Sequence, residues 1–241
     1  MQAVIRAGYD QKSALEIATT SMQTSMATGE DYGEIMSGTT QIMSQFGLKT
    51  DNASKNMENA TRVQNALAKV ANDTQTSYVG LSDAMSKVGP VAANMGYTVE
   101  QTASLIGYMA NKGIDAEQAG NNLRMVFQRL SSPTSQASEA LKELGVSATD
   151  AHGNMKKLPD IMDQIDNATK NMGSAQRQEY IKKIFGAYAT TAATALLDGR
   201  SAIEKESNAA GQAVADGYTK GLAKSNICLL YTSPSPRDTE R

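Results

Sequence analysis

The sequence has few of the side chains that bind metals or act as nucleophiles. In 241 residues it contains no Trp, a single cysteine, Cys228, and a single histidine, His152. One cysteine cannot form an internal disulfide, and one histidine without a partner thiolate is a poor zinc-binding set. We interpret His152 as a solvated loop residue, because it stands beside the Gly153-Asn154 turn signal. We predict no catalytic, cofactor-binding or metal-binding residues.

Long apolar runs and an excess of one charge are also missing. Lys and Arg total 23 and Asp and Glu total 25, whereas nucleic-acid-binding domains are usually basic, so we expect no specific nucleic-acid readout. No stretch approaches the ~18 apolar residues of a membrane span, and the longest small and apolar run, Ala187–Leu197, contains several threonines. The N-terminus lacks the apolar core of a signal peptide. We therefore expect the protein to stay in the cytoplasm until it is assembled.

Motifs that would indicate an enzyme are absent as well. The sequence has no GxxxxGK[ST], no GxGxxG after a strand, no HExxH and no CxxC. Carboxylates such as Glu139 and Glu143 are spread along polar helix faces, which favours solvated surfaces over paired acid–base catalysts. The Lys156-Lys157 and Lys182-Lys183 pairs are too small for a phosphate-binding patch. We predict that the chain is not an enzyme.

What the sequence does have is helical periodicity along nearly its whole length. Apolar residues recur at three-to-four spacing, which is typical of amphipathic helices, and strand-type alternation is almost absent. The stripes are Ile35/Thr39/Ile42/Phe46, Ala60/Val63/Leu67/Val70, Leu81/Met85/Val88/Ala92/Met95, Ala116/Ala119/Gly120/Leu123/Val126/Phe127/Leu130, Ile161/Ile165/Ala168/Met172 and Tyr180/Ile181/Ile184/Phe185. A small-residue helix is predicted to continue from Phe185 through Leu196. The pattern predicts an all-α fold.

Glycines divide these helices at regular intervals. In five places a glycine is followed by an apolar residue and then by a residue that can cap the next helix. These are Gly8-Tyr9-Asp10, Gly47-Leu48 before Thr50, Gly96-Tyr97-Thr98, Gly113-Ile114-Asp115 and Gly145-Val146-Ser147. Gln101 and Gln118 are placed for capping boxes. The glycine stops exclude one continuous helix and predict a compact array or bundle of short helices joined by Gly turns.

Two segments depart from this pattern. Pro90 lies inside the Leu81–Met95 stripe, which predicts a kink or a break near Val88–Gly89. Residues 146–158 have no helical stripe, so we predict an irregular loop there, either without regular structure or with a very short hairpin. Pro159 is then expected to begin a helix, where its missing N–H is harmless.

The abundant methionines leave two interpretations open. There are 13 of them, and Met fills irregular cores but also forms adaptable binding surfaces when it is exposed. Core packing is the favoured interpretation.

The end of the chain differs from the rest in composition. We predict residues 1–199 as a helical core, 200–226 as a looser, Ala/Gly-rich helical linker, and 227–241 as disordered. Cys228–Asp238, CLLYTSPSPRD, resembles the translation of a transposon-end adapter used in sequencing libraries. That resemblance implies that 227–241 is an artefact and that the natural reading frame continues beyond about residue 226.

An ordered set of segments resembles the core region of phage tail tape-measure proteins of the lactococcal-phage type. The set consists of Ala7–Asp10, Ser44–Leu48, Ala92–Thr98, Asn111–Asp115, Ala119–Arg124, Leu130–Pro133, Leu144–Val146, Asp150–Asn154 and Ile184–Gly186. It extends from about residue 7 to residue 199, and no single element is specific by itself. The family core has no catalytic residues to carry over.

The resemblance implies a structural role in the virion. Such proteins run along the lumen of the phage tail, set its length during assembly and in many cases help DNA ejection. The partners it implies are tail-tube and tail-tip proteins and tail assembly chaperones, with self-association. The implied location is the tail lumen, and the host bacterial cytoplasm during assembly. The extended, length-measuring part would lie outside this segment.

Two other functions stay open at this point. The Ala/Gly-rich helices favour, as the alternative, a segment that interacts with the host membrane during genome delivery. A muralytic enzyme is a third hypothesis, because some relatives carry cell-wall hydrolase domains, although nothing in this sequence resembles one.

Overall fold

The computed structural model describes residues 2–224, with side chains from residue 4, and these residues confirm the predicted all-α class. The helices are α1 (Gln2–Arg6), α2 (Gln11–Thr28), α3 (Tyr32–Gln45), α4 (Ala53–Asp73), α5 (Tyr78–Asn94), α6 (Val99–Asn111), α7 (Ala116–Ser131), α8 (Ser135–Glu143), α9 (Leu158–Thr169), α10 (Ser174–Leu196) and α11 (Arg200–Asp216). A further helical segment covers 218–224. The predictions for Cys228–Asp238 and for 227–241 lie outside the described residues.

Glycine turns join the helices as predicted. The five glycines that the pattern singled out all have positive φ, between 65° at Gly47 and 82° at Gly113. In each turn the N–H of the following apolar residue donates to a carbonyl five residues back, as Tyr97 does to Ala92 at 3.0 Å. This is the Schellman arrangement, which satisfies helix-end carbonyls and folds the apolar residue back onto the helix. Since only Gly adopts this backbone freely, the turns fix where each helix ends.

Three of the five predicted N-caps are confirmed. Asp10, Thr98 and Asp115 precede α2, α6 and α7, and each side chain accepts a hydrogen bond from an N–H of the first turn. Thr98 and Gln101 form the complete capping box that the spacing predicted. Each such cap stabilises a helix by about 1 kcal/mol.

The other two caps and the second capping box were wrong. Asn52 rather than Thr50 caps α4, because the backbone N–H and the hydroxyl of Thr50 are bound to Asn56 Oδ1. Ser147 begins no helix and donates its hydroxyl within the loop that follows α8. Gln118 makes no hydrogen bond to the backbone of the N-cap residue Asp115. The Asp115 side chain accepts from the backbone N–H of Glu117.

The predicted loop is present and holds a minimal hairpin. Between α8 and α9 an isolated antiparallel bridge pairs Thr149 with Met155, and Gly153 has a φ of 83° at the tip. No strand is formed by the residues that the structure describes. Pro159 lies in the first turn of α9, as predicted, and is buried there.

Pro90 does not interrupt α5, so of the kink or break predicted near Val88–Gly89 the break was wrong and the kink stays a prediction. The helix continues from Tyr78 to Asn94. Proline leaves the carbonyl four residues earlier without its helical donor, and Gln45 of α3 supplies one, its Nε2 lying 3.2 Å from the oxygen of Ser86. Gly89 gives the Gln45 side chain room, because a Cβ there would lie 2.2 Å from its Oε1.

A break occurs instead where a continuous helix was predicted. Gly186, inside α10, has φ 77° and ψ 166° and separates two helical stretches. The Arg129 guanidinium of α7 lies against it, 3.1 Å from where a Cβ would stand. The prediction that the helix continues past Phe185 was wrong because Gly186 adopts a backbone that other residues rarely adopt.

Helices α5 and α7 approach each other at a glycine. A Cβ on Gly120 would lie 2.4 Å from the carbonyl oxygen of Ala84 and 2.8 Å from its Cα. Tyr97, in the turn after α5, packs against Phe127 of α7 with 4.9 Å between ring centroids. The missing side chain of Gly120 therefore allows α5 and α7 to approach closely, and the contact between Tyr97 and Phe127 adds to their packing.

Helix α4 lies among five other helices and binds several of them through buried amides. It contacts α2, α3, α5, α6 and α11. The buried amide side chains are Asn56, Asn59, Gln64 and Asn65. We call these four residues the α4 amide row.

Gln64 is the centre of that row. It is fully buried, and its Nε2 lies 2.9 Å from Ser21 Oγ of α2 and 3.3 Å from Thr39 Oγ1 of α3. Its Oε1 accepts from the Thr24 hydroxyl at 3.1 Å. Tyr78 of α5, also fully buried, reaches the same Thr39 oxygen at 2.7 Å. One amide thus joins α2, α3 and α4, and through Thr39 also α5.

Two further amides fix the connection between α3 and α4. Asn59 Nδ2 donates to the Leu48 carbonyl at 2.6 Å. Asn56 accepts from the Thr50 N–H at 2.8 Å and donates to the Thr50 carbonyl at 2.8 Å and to Ser13 Oγ at 3.1 Å. Backbone groups of a partly buried irregular segment need such partners, and α4 provides them.

The C-terminal helix packs on this core. Ile203, Ala210 and Ala213 of α11 are buried, and α11 contacts α4 and α6. The division of the chain at residue 199 stays a prediction.

The Gly120 contact predicts that an added methyl group destabilises the protein at Gly120 but not at Gly211. Gly120→Ala should lower the free energy of unfolding by about 2 kcal/mol, because overpacking against the Ala84 backbone outweighs the gain in helix propensity. Gly211→Ala is the matched control, since Gly211 lies in α11 with nothing within 4 Å of a Cβ. It should leave the free energy of unfolding unchanged or slightly raised. Urea denaturation measures both, and equal effects would contradict the packing described.

The Gln45–Ser86 bond predicts coupling with Pro90. Gln45→Glu removes the donor and should destabilise the protein, and the cost should be about 1 kcal/mol larger with Pro90 than with Pro90→Ala. The reason is that the alanine substitution restores the helical N–H to the Ser86 carbonyl. A double-mutant cycle by urea denaturation measures the coupling, and a value of zero would show that Gln45 does not substitute for the missing N–H.

Candidate functional surfaces

The side chains that could carry chemistry are scattered over the fold. His152 is exposed at the tip of the 146–158 loop, where its backbone N–H donates to Asp150 at 2.8 Å. Within residues 2–224, no three His, Asp, Glu or Cys side chains are grouped closely enough to hold a metal ion. That the chain has no site residues stays a prediction, and the candidates for function are surfaces.

One partly buried ion pair joins α4 to α6. Arg62 Nε lies 2.7 Å from Glu100 Oε1, and its Nη2 lies 3.0 Å from Oε2, in the bidentate geometry that favours a fixed register. Burial alone would raise the pKa of Glu100, but the bonds from Arg62 and from the start of α6 hold that pKa below its usual value. The carboxylate is therefore ionised and fully committed to its partners, which fits a packing role.

An exposed apolar face lies on α2. Leu15 and Met22 are 57% and 56% exposed, and Met26 and, on α4, Met57 are also exposed. Met43, Met85 and Met109 are fully buried, so core packing is confirmed for these three, and a binding surface stays a prediction for the exposed members. Exposed apolar side chains on one helix face are typical of a contact surface.

A groove adjoins this face. It has a volume of about 410 Å³ and lies between α2, α4 and the 218–224 segment, with Leu15, Met57 and Thr219 among its lining residues. At its base Asn65 is fully buried, and its Oδ1 accepts from the N–H and the hydroxyl of Thr219 at 3.0 and 2.7 Å. These bonds attach the 218–224 segment to α4.

None of the described helices combines the length and apolar character of a membrane span. The sequence predictions missed the buried α4 amide row and the groove beside Asn65. The amides are polar and the groove residues are scattered in sequence, so periodicity gave no signal for either.

Comparisons with known proteins point to a family of phage tail proteins. A family model of phage-related minor tail proteins matches residues 1–186. The chain is 30% identical over 225 residues to a protein named "Tape measure protein" of Pneumococcus phage Dp-1, covering 93% of this chain and 19% of that protein. It is 35% identical over 167 residues to a "Probable tape measure protein" of Escherichia phage P2, covering 68% of this chain and 20% of that protein.

The chain thus spans about a fifth of the length of these two curated relatives. No solved structure is significantly similar to it. The family match covers most of the chain, including all five predicted glycine turns and the α4 amide row. The chain belongs to the family of phage-related minor tail proteins.

Proposed function

We propose that this chain is the compact helical unit of a tape-measure protein, a structural component that helps to assemble a phage tail and to determine its length. The similarity to two proteins named as tape-measure proteins carries the proposal. The scattered placement of titratable side chains favours a scaffold over an enzyme.

The fold limits how this unit would contribute to tail length. Drawn out as one helix, residues 2–224 would span roughly 330 Å at about 1.5 Å per residue. Folded, a domain of this size measures roughly 45 Å across. A length-measuring role therefore requires extended polypeptide elsewhere in the full protein, and the compact unit would serve as a contact point.

The proposed partners follow from that role. They are tail-tube and tail-tip proteins, tail assembly chaperones and further copies of the same chain. The exposed α2 face, with Leu15 and Met22, offers an apolar contact surface for such partners. The proposed location is the lumen of the phage tail in the virion, and the host cytoplasm during assembly.

A chimeric phage tests the proposal. In Escherichia phage P2 the segment of the tape-measure protein that matches this chain is replaced by the corresponding residues of this chain. We expect virions whose tails, measured by electron microscopy, have the length of the parent phage, because a unit of equal compactness replaces another.

Two further phages complete that test. A chimera carrying Gly120→Trp, which cannot fit against Ala84, should form fewer tails. A phage from which the segment is deleted should form defective tails or none. Normal tails after deletion, or no tails from a chimera whose protein accumulates in folded form, would overturn the proposal.

A further inference from the structure

Helix α2 is amphipathic in the reverse of the usual sense. Most of the side chains that it buries are small or polar: Ser13, Ala14, Ile17, Ala18, Thr20, Ser21 and Thr24. Hydroxyls of this set contact the α4 amide row, as Ser21 and Thr24 do with Gln64. The larger apolar side chains Leu15, Met22 and Met26 are exposed instead, whereas a surface helix normally turns such residues towards the core.

The exposed apolar side chains of the fold are concentrated at this helix. Among the described residues six large hydrophobic side chains are exposed, and four of them are Leu15, Met22 and Met26 of α2 and Met57 of α4. Leu15 and Met57 line the same groove, so Met57 widens the apolar surface of α2. Exposed apolar residues that are scattered singly are ordinary, but a group of them on one surface marks a contact site.

The exposed residues of α2 have the spacing of a contact between two helices. From Lys12 onward the exposed positions of this helix are 12, 15, 19, 22 and 26, so the gaps alternate between three and four residues. This is the a/d spacing of a coiled-coil seam, which fits one partner helix lying along it. We call Lys12, Leu15, Thr19, Met22 and Met26 the α2 stripe.

The two ends of the α2 stripe differ in charge. Lys12 lies at its start and is exposed. At its other end α2 stops at Gly29, and the exposed acidic residues Asp31 and Glu34 come directly afterwards. The carbonyls of the last turn add to the negative potential there. Glu16 is the only other charged residue within α2, so the middle of the stripe is apolar and its ends are complementary.

These charges distinguish the two ways in which α2 can pair with α2 of a second copy. In a parallel pair each Lys12 faces the other Lys12, and the two repel each other. In an antiparallel pair, with a two-fold axis midway between Thr19 and Met22, each Lys12 lies beside the partner's Gly29 and the acidic residues after it. A two-fold axis makes every contact occur twice, so both ends of the stripe are matched at once.

We propose that the α2 stripe is the interface of a two-fold dimer, in which α2 of a second copy lies antiparallel on it. Leu15 packs on the partner's Met26, and Thr19 packs on the partner's Met22. Stable interfaces bury about 800 Å² per partner, and one short helix offers less, so the dimer is weak and needs a high local concentration. The inference names one occupant for the α2 face but rests on the residues of α2 alone, so it stands or fails separately from the role in a phage tail.

Sedimentation equilibrium of the full chain tests the self-association. All proteins carry Cys228→Ser, so that no disulfide forms through the natural cysteine, and roughly 10 to 500 µM protein covers the range of a weak dimer. We expect a monomer–dimer equilibrium. Met22→Glu places a carboxylate in the apolar contact and should weaken the dimer at least about 10-fold. Tyr188→Glu, at a position on α10 that is 83% exposed, is the matched control and should leave the dissociation constant unchanged.

A charge reversal tests the pairing of the ends. Lys12→Glu places a carboxylate beside the partner's acidic end and should weaken the dimer about 3- to 10-fold at low salt. Lys182→Glu, at an exposed position on α10, makes the same change in net charge and should have no effect. Circular dichroism checks that all these proteins, which are altered only at exposed positions, stay folded.

Disulfide cross-linking tests the direction of the two helices. Leu15→Cys and Met26→Cys are prepared as separate proteins, and each is oxidised alone and in a mixture of both. The mixture should give a dimer linked between positions 15 and 26. Leu15→Cys alone should not link, because its two copies lie about 16 Å apart along the helix axis, which is beyond the reach of a disulfide.

Three results would overturn the proposal. A monomer over the whole concentration range would leave the α2 face to a different protein. Linkage of Leu15→Cys chains to one another would show a parallel pair. Loss of the dimer in the Tyr188→Glu protein but not in the Met22→Glu protein would place the interface on α10.

Discussion

The whole arrangement depends on one constraint: α4 packs against five other helices, yet its buried side carries four amide side chains that must find partners. A buried amide without hydrogen bonds is costly, so each of these side chains accepts only those neighbours that present the right groups. Gln64 requires hydroxyls from α2 and α3, and Asn59 requires the Leu48 carbonyl. The amides thus select one arrangement of helices whose apolar surfaces, made of Ala, Met, Leu and Ile, could pack in several ways.

Glycine has two separate roles in this fold. At helix ends it permits the positive φ of the Schellman turns, and between α5 and α7 its missing side chain permits backbone contact at Gly120. The first kind sets where helices stop, and the second sets how closely they approach. In the C-terminal helix α11 only the first kind occurs, because Gly217 ends α11 with a φ of 64° whereas Gly211 within α11 faces open space.

The sequence predicted the helices and turns well, because their signals are local. Gly96-Tyr97-Thr98 with Gln101 specifies a helix end, a fold-back and a capping box within six residues, and all three are confirmed. The errors arose where a residue distant in sequence determines the local structure. Pro90 keeps its helix because Gln45 of another helix replaces the lost donor, and Thr50 loses its capping role to a bond with Asn56.

The buried amide row and the candidate surface on α2 could be predicted least. The polar residues of α4 look like a solvated face in sequence, and their burial becomes visible only when helices from both sides enclose them. The exposed Leu15 and Met22 follow the same helical spacing as core residues, so periodicity cannot tell a surface stripe from a buried one. Family similarity, which integrates many weak segments, identified the family that no single motif specified.

The central claim, that the α4 amide row organises the bundle, is tested most directly by urea denaturation of Gln64→Glu at neutral pH. This change replaces the buried donor by a carboxylate oxygen facing the oxygens of Ser21 and Thr39, and should lower the free energy of unfolding by about 3 kcal/mol or more. Gln128→Glu, at an exposed position on α7, is the control and should change it by less than about 0.5 kcal/mol. A Gln64→Glu protein that unfolds at the same urea concentration as the unmodified chain would contradict the account.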